Sequence, residues 1–332
     1  MRVAVTGASG NIGSAVLREL TSGGEHEVVA VARRNPGQPP DPDPSVRWVS
    51  ADVGLDDLTD LLAKCDALVH LAWKFQPTHE PQVTWTTNAV GSRRVLGAAA
   101  RAGIGKVIVS SSIAAYSPVV HDEPVREDWH TDGASEAAYC REKAYVERVL
   151  DTFEAENPDI DVVRMRPAFV FQRSAASEQR RIFGGALARP SLLDRRRIPV
   201  LPVPAGLRFQ AVHSGDVARA VAAMLRSGAR GAFNLAAEGV LGRHELGELM
   251  GARTFEVSPT LTRHALDAAW HARVLPVPGS LFAALQMLPL MDSTRARTEL
   301  GWTPRHDAAS AVEAVLLGMP ERAGSQMPPL HP

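Results

Sequence analysis

The sequence predicts an α/β fold, a doubly wound parallel sheet with a smaller, mainly helical C-terminal region. Three observations carry this expectation. Six short apolar runs in residues 1–171 alternate with stretches of helical period. Those runs are apolar almost throughout, as strands covered on both faces must be. A glycine-rich turn, TGASGNIG (Thr6–Gly13), joins the first run to the first helical stretch.

Taken in order, RVAVT (2–6) reads as a buried strand. Asn11–Ser22 reads as a helix with Ile12, Ala15, Val16 and Leu20 on one face, stopped by Gly23-Gly24. EVVAVA (27–32) and VRWVS (46–50) are the next strands, and the proline-rich segment 33–44 between them is a surface loop. Leu55–Ala63 reads as helix, ALVHLA (67–72) as strand and Val83–Ala102 as a long helix. KVIVSSS (106–112), a helix over Ser135–Glu156 and DVVRMR (161–166) complete the alternation. Beyond Phe171 it lapses through an Arg- and Pro-rich stretch. It returns at residues 211–225 and at GAFNLA (231–236), and from 239 the chain reads as mainly helical. The expected layout is a nucleotide-binding domain of residues 1–171 plus 209–237 and a substrate region of 172–208 plus 238–320. Residues 321–332 read as a loose tail.

Composition narrows the function. The 332 residues carry a net charge of −1, so no global positive field suggests nucleic acid or an anionic membrane. Cys65 and Cys140 are the only cysteines, too few for a disulfide framework. Met1 runs straight into a strand without the pattern of a secretory signal, and the longest apolar runs are too short to span a bilayer. A soluble, cytoplasmic protein is expected. The eleven histidines show no metal-ligand spacing, so no metal site is expected. His213, Ser214 and Asp216 are too close in sequence to form a hydrolytic triad; Ser214 or Asp216 reads as the cap of a helix over 217–226.

A strand, then Gly7-x-x-Gly10-x-x-Gly13, then a helix is an arrangement in which a diphosphate meets a helix N-terminus. The first glycine permits the turn, the second the approach of phosphate and the third close helix–strand packing. Asn11 and Ile12 lie between them. Dinucleotide folds that prefer NAD commonly end the second strand in a carboxylate. Here Arg33 and Arg34 stand there, and a guanidinium can pair with a 2′-phosphate, although both also suit an exposed loop. NADP(H) is therefore the expected cofactor, with NAD(H) possible. Tyr139 and Lys143 lie at i and i+4 of a helix, on one face. Only three tyrosines and four lysines (Lys64, Lys74, Lys106, Lys143) occur in the chain, so the pairing is not a product of abundance. An ammonium and an oxidised nicotinamide would lower the phenol's pKa from near 10 and fit it to move a proton.

The glycine spacing and Tyr139-x-x-x-Lys143 together resemble the short-chain dehydrogenase/reductase (SDR) superfamily. FQAVHSGDVARAV (209–221) and MDSTRARTELGWTP (291–304) resemble its extended, NAD-dependent epimerase/dehydratase branch. The likeness covers roughly residues 1–316. It implies a Rossmann-type fold with a small substrate domain, and a homodimer formed through helices 83–102 and 135–156. It assigns Tyr139 as acid/base, Lys143 as its partner and a ribose ligand, and Ser112, last of the triplet Ser110–Ser112, as the group that binds the substrate oxygen. Asp52 and Val53 match the position at the adenine edge, and Leu71, Ala72 and Trp73 the strand end beside the cofactor. Ser110 faces the cofactor in this scheme, and Pro167 and Val170 match the segment that cradles nicotinamide. Asn88 matches a helix asparagine, structural or catalytic.

Departures from the branch shape the expected activity. Dehydratases carry Asp-Glu directly after the Ser112 position, where this chain has Ile113-Ala114. Nucleotide-sugar epimerases usually carry an Arg four residues before the histidine of FQAVHSGD; Phe209 stands there, with Arg208 one step away. Trp73, Phe75, Trp85, Phe169 and Phe171 fall near pocket segments and suggest a fairly apolar small-molecule substrate. The basic runs 180–181 and 195–197 read as solvated loops or as a handle for an anion. An NADP(H)-dependent oxidoreductase acting on a carbonyl/alcohol pair is the leading expectation. A nucleotide-sugar epimerase recycling NAD is the alternative, and a non-catalytic cofactor sensor the third.

Overall fold

The computed structural model describes residues 1–34, 43–75, 77–185 and 198–331. Most of the 33–44 loop and the basic run 195–197 lie outside the described residues. The elements in order are β1 (Arg2–Thr6), α1 (Asn11–Thr21), β2 (Glu27–Ala32), β3 (Val46–Ser50), α2 (Thr59–Leu62), β4 (Ala67–His70), α3 (Pro81–Trp85), α4 (Gly91–Ala102), β5 (Lys106–Ser110), α5 (Ala138–Glu156), β6 (Asp161–Pro167) and β7 (Phe169–Phe171). They continue with α6 (Ala176–Gly184), β8 (Val200–Pro204), β9 (Ala211–His213), α7 (Ser214–Arg226), β10 (Gly231–Leu235), α8 (Arg243–Met250), β11 (Arg253–Val257), α9 (Pro259–His271), α10 (Gly279–Gln286), α11 (Thr294–Leu300) and α12 (Ala308–Gly318).

Seven parallel strands form one sheet in the order β10-β6-β5-β4-β1-β2-β3. Alternate strand residues feed two cores, as the two-residue period requires. Val3, Val5, Val69 and Ile108 pack with α1 and α7 on one face. Ala4, Leu68, Val107 and Val109 pack with α4 and α5 on the other. No helix among the described residues is long and apolar enough to cross a membrane.

The strands follow the sequence reading closely; the helix ends do not. The helix expected over 55–63 shrinks to α2 because Asp52 and Asp57 take the amides of Gly54 and Thr59, which competes with helical bonding. The long helix begins at Pro81 and contains a π-turn, Thr86–Val90, between α3 and α4. Helix α7 begins at Ser214, and His213 rather than Ser214 or Asp216 caps it, through Nδ1 accepting from Gly215 N at 3.1 Å. In the region read as helical, β11 pairs with β8 as a small parallel ribbon.

The tail is not loose where the structure describes it. Arg181 of α6 donates to the carbonyls of Pro329 and His331, and Leu330 is fully buried. A short 3-10 turn, Pro328–Leu330, and the Arg181 donors together fix this proline-rich end.

Candidate active site

The glycine loop forms at the C-terminal edge of β1. Gly7 has a φ of +70°, and a Cβ there would lie 2.6 Å from Ala72 N, so the turn after β4 can close on it only because the side chain is absent. A Cβ on Gly13 would meet Gly7 O at 2.2 Å, which explains how α1 packs so tightly on the loop. Gly10 is different: a Cβ would have only Gly7 O near it, at 3.4 Å, with open space beyond. Helix α1 has no side-chain cap and no acidic residue in its first turn. Its N-terminus is therefore available to an anion lying over Gly10, and the cradle fits a dinucleotide diphosphate.

Around this cradle the structure gathers most of the residues singled out from sequence. Leu71 and Ala72 back onto Gly7. Asn11 donates to Val170 O at 2.9 Å, which ties the loop to the segment following Pro167. Gln172, which no motif flagged, donates to Asn11 O, Asn11 Oδ1 and Ser14 Oγ, and accepts from Arg18. Ile12 is half-buried and Val53 buried. Arg33 and Arg34 are exposed just past β2. Burial and the nearby Arg33 push the Lys74 ammonium below its ordinary pKa, while Asp52 opposes them.

At the other end the Tyr139 hydroxyl lies 3.2 Å from Ser112 Oγ. Ser112 Oγ also accepts from Ala114 N at 3.1 Å, so its own hydrogen remains for a further acceptor. Lys143 Nζ donates to Ser110 O at 2.7 Å and lies 3.4 Å from the centroid of the Trp73 ring. Trp73 and Phe75 meet the Tyr139 ring edge-on at 6.0 and 4.7 Å, and Phe183 of α6 extends the wall beyond Phe75.

In the protein alone, burial governs the electrostatics of this pair. Burial raises the Tyr139 pKa, and the Ser112 hydrogen bond only partly opposes it. Burial also lowers Lys143 to about 7, against the pull of Glu147 and Glu142. In the protein alone Lys143 does not bring the phenol down, because desolvation dominates both groups.

Behind this pair lie partners that spacing did not reveal. Ser111, the middle residue of the triplet, donates to Glu147 at 2.6 Å. Asn88, in the π-turn, is fully buried; it clasps both backbone polar groups of Lys74 and donates to Glu142 Oε2 at 2.6 Å. That makes it a clamp on the Trp73–Phe75 turn. Thr84 donates to the other oxygen of Glu142. His70, between Thr6 and Ser92, is held to about 3 by burial and by Lys143, and so is neutral.

Other candidates are placed elsewhere. Trp85 packs on Tyr145 and stays exposed, and Phe171 and Phe209 join the α12 cluster. Arg208 pairs with Asp122 and donates to His121 O and Leu288 O. His213, Asp216 and His306 converge despite lacking ligand spacing in sequence. Asp216 there accepts from Arg219, from the amides of Arg305 and His306 and from His306 Nδ1, so its oxygens already serve as a joint to the C-terminal segment.

Residues 3–236 match the model of the NAD dependent epimerase/dehydratase family. The chain belongs to this family. An uncharacterized protein of Mycobacterium tuberculosis is 26% identical over 332 residues, covering 98% of this chain and 31% of that protein. The chain thus spans about a third of the length of that relative. A UDP-glucose 4-epimerase of Azospirillum brasilense is 35% identical over 133 residues, 38% of each chain. A putative dihydroflavonol 4-reductase of Synechocystis is 27% identical over 163 residues, 48% of this chain and 47% of the relative. Among solved structures, a UDP-glucuronic acid 4-epimerase from Bacillus cereus in complex with NAD superposes with a TM-score of 0.70 at 17% identity, covering 97% of this chain and 99% of that one. That likeness establishes the fold.

Proposed function

We propose that the protein is an NADP(H)-dependent oxidoreductase that moves a hydride between nicotinamide and a carbonyl/alcohol substrate. The observation that carries the proposal is the Tyr139–Ser112 contact beside buried Lys143, joined to the glycine cradle through the Ala72–Trp73 strand end. The Gly7–Gly13 loop would hold the diphosphate, Asp52 and Val53 the adenine edge, Arg33 and Arg34 a 2′-phosphate, and Pro167 and Val170 the nicotinamide half. NAD(H) fits the same cradle, and the Bacillus cereus neighbour binds NAD. The bound cofactor supplies or takes up the hydride.

The chain's own residues handle the oxygen. Ser112 donates its free hydrogen to the substrate oxygen and polarises it. Tyr139 gives its phenol proton to that oxygen as negative charge builds there in reduction, and takes a proton from the hydroxyl in oxidation. Lys143, when protonated, stabilises the phenolate so formed and binds the nicotinamide ribose. Trp73, Phe75 and Phe183 favour a substrate with an apolar body. No carboxylate follows Ser112, where buried Ile113 and Ala114 stand, and this argues against dehydration.

Relatives and structural neighbours named as epimerases favour a second reading, in which NAD stays bound and the substrate is oxidised and re-reduced. The commitment of Arg208 to Asp122 and to backbone carbonyls argues against a diphosphate-bearing sugar substrate. Exposed Trp85, at the end of α3, and Val90, at the end of the π-turn, are consistent with a homodimer through α4 and α5.

Denaturing the purified protein and identifying any released nucleotide by mass spectrometry tests the choice. The proposal expects an empty site that binds NADPH reversibly and more tightly than NADH. Stoichiometric, tightly held NAD would overturn it in favour of the epimerase.

A further inference from the structure

Glu142 and Lys143 are consecutive on α5, and both are buried. A buried carboxylate needs partners that replace its lost water. Glu142 has two at 2.6 Å: Thr84 Oγ1 of α3 on one oxygen and Asn88 Nδ2 of the π-turn on the other. Both partners are neutral, so they satisfy its hydrogen bonding and leave its charge unbalanced. Glu147, also on α5, differs, because Arg164 and Arg166 bond it directly and balance its charge. The unmatched negative charge beside the Tyr139–Lys143 pair is that of Glu142.

Its placement lets both members of the pair feel that charge. Glu142 stands three residues after Tyr139, on the same side of the helix, and next to Lys143. The other groups around Lys143 are Glu147 and Tyr139 of α5, the Trp73 ring, Ser110 O, and His70 of β4, which is neutral. Burial works against the Lys143 ammonium, and Glu147 and Glu142 work for it. At Tyr139, Cys140 and Glu142 add to the burial that disfavours the phenolate. Through Asn88 the same carboxylate pins Lys74, whose neighbour Phe75 lies against the Tyr139 ring at 4.7 Å.

We propose that Glu142 is a positioning residue that holds the Tyr139–Lys143 pair in its proton-loaded form, phenol and ammonium, and so sets the site to reduce a carbonyl rather than to oxidise an alcohol. Reduction of a carbonyl takes up one hydride at carbon and one proton at oxygen, and Tyr139 supplies the proton. The proposal rests on the oxidoreductase reading above and adds to it a direction and the carboxylate that imposes it.

Glu142→Gln removes the charge and keeps the bonds, since an amide can accept from Asn88 and donate to Thr84 Oγ1. Glu142→Asp keeps the charge. The chain has only four lysines, so lysine labelled with carbon-13 at Cε gives four resonances, and that of Lys143 is the one missing from Lys143→Arg. Its pH titration needs neither cofactor nor substrate. The Lys143 midpoint, near 7 in the wild type, is expected to fall by about one pH unit in Glu142→Gln and to stay close to wild type in Glu142→Asp. With NADPH and para-nitrobenzaldehyde as the carbonyl probe, the pH at which kcat/KM declines on the alkaline side should move down with the midpoint in Glu142→Gln. An unmoved midpoint in Glu142→Gln, or one in Glu142→Asp that falls by the full unit, would overturn the proposal and leave the oxidoreductase reading standing. Should Glu142→Gln not fold, the Glu142→Asp midpoint decides alone: held near wild type it supports the proposal, and lowered by a unit it overturns it. A wild type that binds neither NADPH nor NADH would overturn the oxidoreductase reading, and with it the use made of this charge, whatever the lysine titration shows.

Discussion

Tyr139 and Lys143 were legible in the sequence because their relation is local: four residues along a helix fixes which face they share. The groups that condition them were not. Glu142 meets Thr84 and Asn88 across 58 and 54 residues, and Trp73 reaches Lys143 from another strand end. Spacing carries no information about such pairs until the sheet order is known. Burial sets the balance there: it raises the phenol and, against the pull of Glu147 and Glu142, brings Lys143 down to about 7. Specificity at the other end of the cleft is also a matter of single residues. Arg33 is exposed past β2 in the position where NAD-preferring folds place a carboxylate. Arg33→Asp is expected to lower the NADPH:NADH affinity ratio by about tenfold or more, the worth of a charge-assisted phosphate contact of ~1.5–3 kcal/mol. Paired binding titrations check this; an unchanged ratio would show that Arg33 does not read the 2′-phosphate.

At the scale of elements, α5 and β6 are joined by a buried ionic cluster beneath the site. Glu147, fully buried, accepts from Arg164, from two guanidinium nitrogens of Arg166 and from Ser111. Burial alone would raise its pKa, but the Arg166, Ser111 and Arg164 interactions more than offset that and hold it at about 2 against an ordinary 4.5. A depressed carboxylate adds stability that is full above its unfolded value and fades as pH falls from about 4.5 toward 2. Glu147→Gln should therefore cost about 3 kcal/mol at neutral pH. The gap from wild type should narrow in acid, as urea unfolding at pH ~7 and ~3 would reveal. An equal gap at both values would mean that charge is not what Glu147 contributes. The strands flanking this cluster were evident from their apolar runs, whereas its charges were not: Arg164 and Arg166 in DVVRMR look like polar interruptions until α5 is laid against them.

Across the whole molecule the seven-stranded parallel sheet brings the carboxyl ends of β1, β4 and β5 together, so that the glycine cradle and the Tyr139–Ser112 pair lie at the same edge of the sheet. That convergence follows from alternation of strands and helices, and so could be expected from sequence. Long-range closure could not. The β8–β11 ribbon pairs segments some fifty residues apart through a strand containing Pro202 and Pro204, and Leu330 is buried at a chain end that reads as polar and proline-rich. The α/β frame thus holds the proposed chemistry. Tyr139 is the one group whose loss removes proton transfer without touching the cradle. The most direct measurement is the rate of carbonyl-dependent NADPH oxidation by wild type and Tyr139→Phe, with NADPH affinity measured on the same preparations. The account predicts turnover reduced about a thousandfold with NADPH binding unchanged. A variant that binds NADPH and still turns over at a rate near that of the wild type would contradict it.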